Sequence, residues 1–346
     1  MDFTIEQLKP YIHGLVWFGV EDYKLIRFPT SKEDSLDPHL WDMSVMTSGV
    51  RIRFRTRCEV IGLEFSSIRG NENIRLPPLS KRGFDLYADG EYINTVIAPE
   101  TRGEFYGWFD VDPREEHDYE IYFPYQAEVV LEGMFLEFKR GNEEPEIKPA
   151  TPFAVEDPVV FYGSSITHGG DAQRSGLIYP VLIARELNVD LINLGFGGAG
   201  KGGPEVADLL ASIPRASAYV MDWGINIWGP DEVDLIYERY QPMLDKIKAA
   251  HPDVPILIVN IQGAGPKWGP EARLMQENLQ KIRDEIKKCY DGEVKKGNKT
   301  IRYIDGRDII SLNDLDLTVD RVHPNQAGFF RYALKLTPIL RDMLKL

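Results

Sequence analysis

Cysteine is nearly absent from this chain. The 346 residues include only Cys58 and Cys289, which lie in different halves of the sequence. Two isolated cysteines support neither a disulfide framework nor a thiolate metal site, so both thiols are expected to be reduced. Long apolar runs are also missing, and none approaches the roughly 20 residues that a membrane-spanning helix needs. The first residues lack the basic segment and apolar core of a signal peptide. We therefore expect a cytoplasmic protein without a membrane partner.

Positive charge is in short supply as well. Lys and Arg total 40 against 54 Asp and Glu, which gives a net charge of −14. A polyanion would meet long-range repulsion from such a surface, so a nucleic-acid partner is not expected. The one dense basic run alternates with apolar residues, as is typical of the solvated face of a half-buried strand. It consists of Arg51, Arg53, Arg55 and Arg57.

The length and the patterning divide the chain in two. A single core rarely extends through 346 residues, which favours two domains. Between residues 50 and 138 apolar side chains recur with period two and are interrupted by turn residues, a pattern typical of a β-sandwich. Asp89-Gly90 predicts a hairpin turn. A change of apolar parity at Val60 predicts a bulge or a strand break.

A charged stretch with three prolines, residues 141–152, predicts the linker between the halves. We place an accessory β-sandwich domain at residues 1–145 and a second domain at residues 155–346. Three tryptophans of the first domain could form a platform for sugar rings, which would make the domain carbohydrate-binding. Burial in the core or between the domains is the favoured interpretation for them. They are Trp17, Trp41 and Trp108.

The second half alternates short apolar runs with helical stretches. Strands separated by helices indicate a parallel sheet with helices on both faces. Ligands of such sheets bind at the carboxyl ends of the strands, where this sequence places its polar and glycine-rich segments. The predicted strands are Val159–Tyr162, Leu191–Leu194, Ala218–Met221, Ile256–Asn260 and Ile301–Ile304. The predicted helices are Ile178–Asn188, Pro204–Ser212, Glu232–Ala250, Pro270–Tyr290 and a last one from Pro324 onward.

A glycine-rich loop follows the second of these strands. Residues 195–200, GFGGAG, fit the dinucleotide pattern G-x-G-x-x-G with Asp222 as a ribose ligand, although this pattern normally follows the first strand. The same loop satisfies most of a phosphate-binding P-loop, but Gly202 stands where Ser or Thr would hold magnesium. A nucleotide- or dinucleotide-binding protein that uses the loop from Gly195 to Lys201 is therefore an alternative.

Four segments occur in the order of the four sequence blocks of the SGNH (GDSL-like) hydrolase superfamily, which the chain resembles from about Pro158 to Leu346. The segments are 163–167 (GSSIT), 193–198 (NLGFGG), 222–226 (DWGIN) and 320–324 (DRVHP). The usual Gly-Asp-Ser is Gly163-Ser164-Ser165 here, a variant that occurs in members with an N-terminal sandwich. The resemblance implies an α/β domain with a flavodoxin-like parallel sheet and helices on both faces, preceded by a jelly-roll-like β-sandwich.

The resemblance also implies a serine-esterase site. Ser165 is the nucleophile, His323 is its general base, and Asp320 orients the histidine. The oxyanion donors are the backbone amides of Ser165 and Gly198 and the side chain of Asn226. The residues alone leave local roles open. Ser165 can cap the following helix, and Asn226 can bond to its own turn. Asp320 and His323 can form a capping pair for the last helix.

The function implied by the resemblance is removal of a small acyl group, with acetyl favoured, from a carbohydrate through an acyl-enzyme intermediate. The partner would be a small-molecule substrate, an acetylated oligosaccharide. A carbohydrate-binding module on an inactive hydrolase fold is a third interpretation, and a homo-oligomer is left open. His168 has no second ligand at a suitable spacing, so we expect neither a metal nor a cofactor. Six residues near the blocks are candidates for binding substrate: Asp171, Arg174, Tyr179, Trp223, Trp228 and Trp268.

Overall fold

The computed structural model describes residues 1–99, 105–141 and 143–346. Its amino-terminal half forms a sandwich of two antiparallel sheets. One sheet has the strand order β1-β9-β4-β7 and the other the order β2-β3-β8-β5-β6. Without β2 this is the order of a jelly roll, in which the chain crosses repeatedly between the sheets, so the predicted sandwich is confirmed. The strands are β1 (Asp2–Thr4), β2 (Ile12–His13), β3 (Arg51–Thr56), β4 (Val60–Gly70), β5 (Gly83–Ala88), β6 (Glu91–Ile97), β7 (Phe105–Asp110), β8 (His117–Tyr122) and β9 (Ala127–Glu137).

Local sequence signals in the sandwich act as predicted. Asp89 and Gly90 join β5 to β6 with φ angles of 48° and 83°, the left-handed conformation that this turn needs. Strand β3 ends before Arg57 and β4 begins at Val60, so a strand break accounts for the change of apolar parity. Two short helices, α1 (Pro38–Ser44) and α2 (Pro78–Arg82), precede β3 and β5.

The three tryptophans of the predicted platform lie in two different environments. Trp17 and Trp41 pack against the core of the carboxyl-terminal domain, in agreement with the favoured interpretation. Trp108, on β7, is 57% exposed, so the expectation of burial is wrong for this residue.

The carboxyl-terminal half contains a five-stranded parallel sheet of order β11-β10-β12-β13-β14, the flavodoxin-like order. All five predicted strands are confirmed to within one residue at each end. They are β10 (Val159–Gly163), β11 (Leu191–Gly195), β12 (Ala218–Asp222), β13 (Ile256–Val259) and β14 (Ile301–Ile304). The helices are α3 (Ser165–His168), α4 (Tyr179–Leu187), α5 (Pro204–Ala211), α6 (Leu235–Ala250), α7 (Pro270–Lys295) and α8 (Gln326–Leu344).

Strand β10 is the topological switch point of this sheet. The chain runs from β10 to β11 on one side and later returns to β12 on the other side of β10. Right-handed crossovers in opposite directions place their helices on opposite faces, which separates α4 and α8 from the group of α5, α6 and α7. Ligands of such sheets bind in the crevice at the carboxyl end of the switch-point strand.

The basic face of β3 departs from the sequence-based expectation. Arg51 and Arg53 are only 2% and 8% exposed. Arg51 Nη2 lies 2.6 Å from Asp190 Oδ1 of the carboxyl-terminal domain, and the Arg53 guanidinium lies over the Phe153 ring, 4.2 Å from its centroid. The prediction of a solvated face is wrong for these two residues, because the face is covered by the segment after the sandwich and by the second domain. It holds for the later arginines of the run, each 40% exposed: Arg55 and Arg57.

A further buried arginine joins the two halves of the chain. Arg27 donates hydrogen bonds to the backbone oxygens of Met46 (2.7 Å), Asn193 (3.0 Å) and Gly195 (2.6 Å). Its guanidinium lies 4.6 Å from the centroid of the Phe196 ring. No carboxylate of the described residues pairs with it, and burial lowers the pKa of Arg27 to about 9. Backbone carbonyls therefore hold this cation between the domains.

The described residues between β9 and β10 contain no helix and no strand, apart from a single bridge between Arg55 and Lys148. Asn142, within the predicted linker, lies outside the described residues. The boundaries 1–145 and 155–346 stay a prediction, and Phe28 and Leu40 of the first half belong to the core of the second domain. None of the described helices is both long and apolar enough to span a membrane.

Candidate active site

Two adjacent serines follow β10 and take different roles. Ser164 is the N-cap of α3, and its buried Oγ accepts a hydrogen bond from the Ile166 N–H at 3.2 Å. Ser165 is the first helical residue and its side chain is partly exposed. The capping role considered for Ser165 therefore belongs to Ser164. The Ser165 hydroxyl is available for chemistry.

The loop before α8 brings His323 to this hydroxyl. Its Nε2 lies 2.8 Å from Ser165 Oγ, and its Nδ1 lies 2.8 Å from Asp320 Oδ2. Asp320 Oδ1 accepts the backbone N–H groups of His323 and Val322 at 2.8 and 3.0 Å. Burial opposes the Asp320 carboxylate, but the hydrogen bonds from His323 outweigh burial and hold the pKa of Asp320 well below its usual value. Helix α8 is capped by Asn325 rather than by this pair.

The three predicted oxyanion donors line one cavity with the serine hydroxyl. Within the described residues, the backbone N–H groups of Ser165 and Gly198 have no protein acceptor. Asn226 Nδ2 donates to the backbone oxygen of Phe196 at 3.3 Å, outside its own turn, and has a second hydrogen to offer. Gly198 has a φ of 68°, and a Cβ there would lie 3.0 Å from His39 Nε2. Glycine keeps this amide accessible.

The glycine-rich loop packs against the nucleophile turn. A Cβ on Gly195 would lie 2.1 Å from the backbone nitrogen of His168, and one on Gly200 would lie 2.1 Å from the carbonyl oxygen of Gly163. Both distances are far below van der Waals contact, so these glycines permit the close approach of two backbone segments. Their spacing, which resembles a dinucleotide motif, is explained by packing.

The other groups that a nucleotide site would need are engaged. Lys201 forms an ion pair with Glu232. Asp222, the expected ribose ligand, is buried and accepts hydrogen bonds from Thr167 Oγ1 (3.2 Å) and Tyr179 OH (3.0 Å). Burial raises the pKa of Asp222 to about 6, although these two hydrogen bonds favour the carboxylate. The nucleotide-binding alternative is therefore not supported.

His168 connects the domains. Its ring is buried, with Nε2 2.7 Å from the Tyr125 carbonyl oxygen and Nδ1 3.0 Å from the Gly195 carbonyl oxygen. Burial, reinforced by the nearby Arg27 cation, lowers the pKa of His168 to about 3. The ring is neutral at physiological pH and has a structural role.

Two further charged side chains lie beside the triad residues. Arg75, in the loop between β4 and α2, places its Nη1 3.1 Å from Asp320 Oδ2. Asp171, in the loop after α3, places its Oδ2 3.8 Å from His323 Nδ1. Burial raises the pKa of Asp171, and the charges of His323 and Arg75 oppose that shift.

Only one group of His, Cys, Asp and Glu side chains in the described part of the chain could jointly hold a metal ion. It comprises Asp171, Asp320 and His323, whose ligand atoms lie within 4.8 Å of one another. Asp320 already accepts hydrogen bonds from His323 and Arg75 through the same oxygen. A guanidinium at that oxygen suits a hydrogen-bonded triad better than a cation site.

Ser165 and His323 line a cavity of about 520 Å³ between the domains. Polar side chains of the sandwich domain form part of its wall, which the sequence did not predict. The apolar part comes mainly from the carboxyl-terminal domain, through Ile225, Trp228, Met275 and Val322. The polar contributors from the sandwich are His39, Asn71, Asn73, Arg75 and Gln126.

The six residues predicted to contact substrate differ in whether they line the cavity. Asp171 and Trp228 line the cavity. Tyr179 and Trp223 are buried in the core, where Tyr179 binds Asp222 and Trp223 stacks on Tyr240 with 5.0 Å between ring centroids. The predictions for Tyr179 and Trp223 are wrong, because proximity to a motif in sequence does not decide which way a side chain faces.

Arg174 and Trp268 are not part of the cavity wall either. Trp268 is 85% exposed. Arg174 Nη1 lies 2.7 Å from Tyr87 OH and 3.2 Å from Asp85 Oδ2, and its guanidinium covers the Tyr92 ring. Arg174 therefore binds the sandwich domain, and its predicted role in substrate binding is wrong.

A stretch of β5 that the sequence interpretation did not single out anchors the loop after the nucleophile. In residues 83–87, GFDLY, the fully buried Asp85 accepts the Gly176 N–H at 2.7 Å and an N–H of Arg174. The available signal was a carboxylate inside a strand that is otherwise apolar. Such a buried charge requires a partner, which here comes from the other domain.

The parallel sheet and the jelly roll together form the fold of two-domain SGNH hydrolases, and the predicted nucleophile and oxyanion donors line one cavity. The chain belongs to the GDSL-like lipase/acylhydrolase family, whose model matches residues 156–341. The model for the N-terminus of SGNH-hydrolase-type esterases, named GxDLY, matches residues 2–131. The stretch GFDLY described above fits that name. Family membership supports esterase or acylhydrolase activity.

Solved structures share this fold over most or all of the chain. A protein described as a GDSL-like lipase, from Bacteroides ovatus, is 26% identical with a TM-score of 0.82, and the match covers 100% of this chain and 98% of that one. A salicylyl-acyltransferase from a tetracycline biosynthetic pathway is 19% identical, with a TM-score of 0.82 and coverage of 99% and 97%. A family two carbohydrate esterase from Clostridium thermocellum is 16% identical, with a TM-score of 0.61 and coverage of 86% and 93%. No curated protein sequence matches the chain.

Proposed function

We propose that this protein is a serine esterase that removes small acyl groups, with acetyl favoured, from an acetylated oligosaccharide. The observation that carries the proposal is the hydrogen-bonded chain from Ser165 Oγ through His323 to Asp320, with 2.8 Å at both contacts. This arrangement turns a weakly nucleophilic hydroxyl into an effective one. The open amides of the oxyanion donors lie in the same cavity.

In the proposed reaction Ser165 Oγ attacks the ester carbonyl carbon while His323 Nε2 takes the hydroxyl proton. The negative oxygen that forms is stabilised by the backbone N–H groups of Ser165 and Gly198 and by the Asn226 amide. His323 then gives the proton to the departing alcohol, which leaves an acyl-enzyme. A water molecule, deprotonated by His323, releases the acid and restores Ser165. Asp320 holds the imidazole in the required tautomer throughout.

The choice of substrate is supported by the wall of the cavity and by the fold. Amide and imidazole groups of the sandwich domain, from Asn71, Asn73, Gln126 and His39, can bind the hydroxyl groups of a sugar. Carbohydrate esterases with the same two-domain arrangement are the reason for choosing an acetylated sugar over another ester.

Acyl transfer to an alcohol is a second candidate, because the same acyl-enzyme can react with a hydroxyl other than that of water. The 520 Å³ cavity offers room for an acceptor beside Ser165. Reaction of an activated acetyl ester in the presence of oligosaccharide acceptors distinguishes the two. Acetylated sugar in place of free acetate would favour transfer.

The first test is hydrolysis of p-nitrophenyl acetate by the wild type and by Ser165→Ala, with Ser164→Ala as the matched control. Loss of the nucleophile should lower kcat by at least about 10⁴-fold. Ser164→Ala should keep most of the activity and lose about 1 kcal/mol of unfolding free energy, because it removes only the helix cap. An inactive wild type, or an active Ser165→Ala protein, contradicts the proposal. Mass spectrometry of acetylated oligosaccharides before and after incubation then identifies the sugar.

Asn226 provides a separate test of the oxyanion donors. Asn226→Ala should lower kcat by about 10²- to 10³-fold with little change in KM, since the donor acts on the charge of the transition state. Circular dichroism and thermal unfolding of the variant serve as the folding control. A normal kcat would remove Asn226 from the oxyanion hole.

A further inference from the structure

A guanidinium from the sandwich domain reaches the triad carboxylate. Arg75 Nη1 and His323 Nδ1 both bind the same oxygen, Asp320 Oδ2, at 3.1 and 2.8 Å. The Arg75 side chain is 54% exposed, and Asp320 is its only ion-pair partner among the described residues. A positive charge at this place competes with His323 for the negative charge of Asp320.

A second carboxylate approaches the same ring nitrogen of His323. Asp171 Oδ2 lies 3.8 Å from His323 Nδ1, too far for a hydrogen bond but close enough for a strong charge interaction. Its side chain is only 8% exposed. The backbone of Asp171 has a φ of 71°, a left-handed conformation in which Asp and Asn are the best tolerated residues after glycine. The low exposure places this carboxylate inside the site, beside the histidine.

Arg75 and Asp171 carry opposite charges. Asp320 alone would offset the positive charge of the imidazolium that forms on His323 during catalysis. Asp171 adds a second negative charge, and the positive charge of Arg75 offsets that addition. The other titratable or charged side chains that line the cavity in the described chain are His39, across the cavity, and the buried neutral His168. Arg321, next to the site in sequence, is exposed.

We propose that Arg75 and Asp171 are positioning residues that together set the charge around His323, with the sandwich domain supplying the cation that offsets the second carboxylate. The catalytic meaning of this inference rests on the proposed esterase function. In this proposal the sandwich domain influences proton transfer by His323. Arg75 acts through Asp320 and does not need to touch the substrate or the reacting atoms. This role of Arg75 also explains why the loop between β4 and α2 extends across the domain boundary to Asp320.

The test is the pH dependence of kcat/KM for Arg75→Met, Asp171→Asn and the double variant. Loss of the cation lets His323 take up a proton more readily, so the acidic limb of the Arg75→Met profile should move to higher pH by about half a unit. Asp171→Asn keeps the left-handed backbone and should move the limb to lower pH by a similar amount. The double variant should return to within about 0.2 units of the wild type. The shift of Arg75→Met should shrink in about 1 M salt, because Arg75 is exposed, whereas the shift of Asp171→Asn should shrink less, because Asp171 is buried.

Arg75→Lys is the conservative control. It keeps the charge and should keep the wild-type profile, whereas a role in shape alone would make Lys and Met equally harmful. Shifts of the two single variants in the same direction, no shift in either, or a Lys variant that behaves like Met would overturn the proposal. Equal melting temperatures of all variants confirm that they fold.

A second readout separates this inference from the esterase proposal. Proton NMR follows the titration midpoint of the His323 ring, whose signal is assigned by its loss in His323→Gln. Opposite displacements of that midpoint in Arg75→Met and Asp171→Asn support the charge balance even if the wild type hydrolyses no ester. Equal midpoints in all variants refute it even if the wild type is an active esterase.

Discussion

Two arginines of the sandwich domain reach aspartates of the hydrolase domain at opposite ends of its parallel sheet. Arg51, in β3, is 2% exposed and pairs with Asp190, which directly precedes β11. Arg75, in a loop, is 54% exposed and pairs with Asp320 beyond the carboxyl ends of the strands. The chemistry of the two contacts is the same. Their burial differs, and we therefore expect the first pair to contribute to stability and the second to affect mainly the charge around His323.

The Arg51–Asp190 pair shows how burial and an opposite charge together affect a carboxylate. Burial opposes the charge of Asp190, but Arg51 and His13 outweigh it and hold the pKa of Asp190 far below its usual value. Removing one partner would leave an uncompensated charge in the interface. Arg75 is solvated on its open side, so its removal would not leave a fully buried charge without a partner. The proposed effect of Arg75 is on the electrostatic potential at His323.

The largest effect is expected at the buried pair. Arg51→Met should lower the unfolding free energy by about 3–5 kcal/mol, because the largely buried Asp190 would lose its guanidinium and keep His13 as its one remaining side-chain partner among the described residues. Urea denaturation measures this loss, and kcat at a temperature well below melting should stay near the wild-type value. Arg57→Met is the matched control, since Arg57 is 40% exposed and pairs with an exposed glutamate. It should change the unfolding free energy by less than about 0.5 kcal/mol. Equal losses in both variants would refute the distinction.

Asp222 is a buried carboxylate that no cation pairs with among the described residues, and it can be compared with Asp190 and Asp320. Asp222 has hydroxyl partners only among the described residues, and burial raises its pKa to about 6. Between the unfolded pKa near 4 and the folded pKa near 6, the unfolded chain binds fewer protons at this site than the folded chain. Stability from Asp222 is therefore present at low pH and lost as the pH rises through about 6.

Asp222→Asn removes this dependence while keeping an acceptor for Thr167 and Tyr179. Relative to the wild type, the variant should gain about 2 kcal/mol of unfolding free energy between pH 4 and pH 7.5. Denaturation curves at several pH values provide the measurement. A constant difference between the two proteins at all pH values would show that Asp222 does not titrate in this range.

The smallest effect on stability is expected at Arg75. Arg75→Met should change the unfolding free energy by less than about 0.5 kcal/mol, as is usual for an exposed ion pair. The same protein should show the displaced pH profile described above. A destabilisation similar to that of Arg51→Met would mean that the two ion pairs contribute equally to the unfolding free energy.

The parallel sheet was predictable because apolar runs such as β10 are local signals for buried strands. The meeting of Ser165 with His323, 158 residues away, is not a local signal, and it was expected only because four segments resemble the blocks of a known superfamily. Arg51 and Arg75 were not predictable, since their partners lie 139 and 245 residues away along the chain. Tyr179 was misassigned for a related reason. A residue soon after the nucleophile can face the core or the cavity, and only the packing of α4 decides which.

The buried Arg27 has a consequence for the order in which the protein is made. During synthesis this cation leaves the ribosome long before the carbonyl oxygens of Asn193 and Gly195, which follow it by 166 and 168 residues. Until those residues emerge, the Arg27 guanidinium lacks two of the carbonyl oxygens that bind it in the folded protein. A sandwich that folds first as the nascent chain emerges must therefore leave this segment open. We therefore expect the region between the domains to close only after β11 has joined its sheet, because the contacts made there have a long sequence separation.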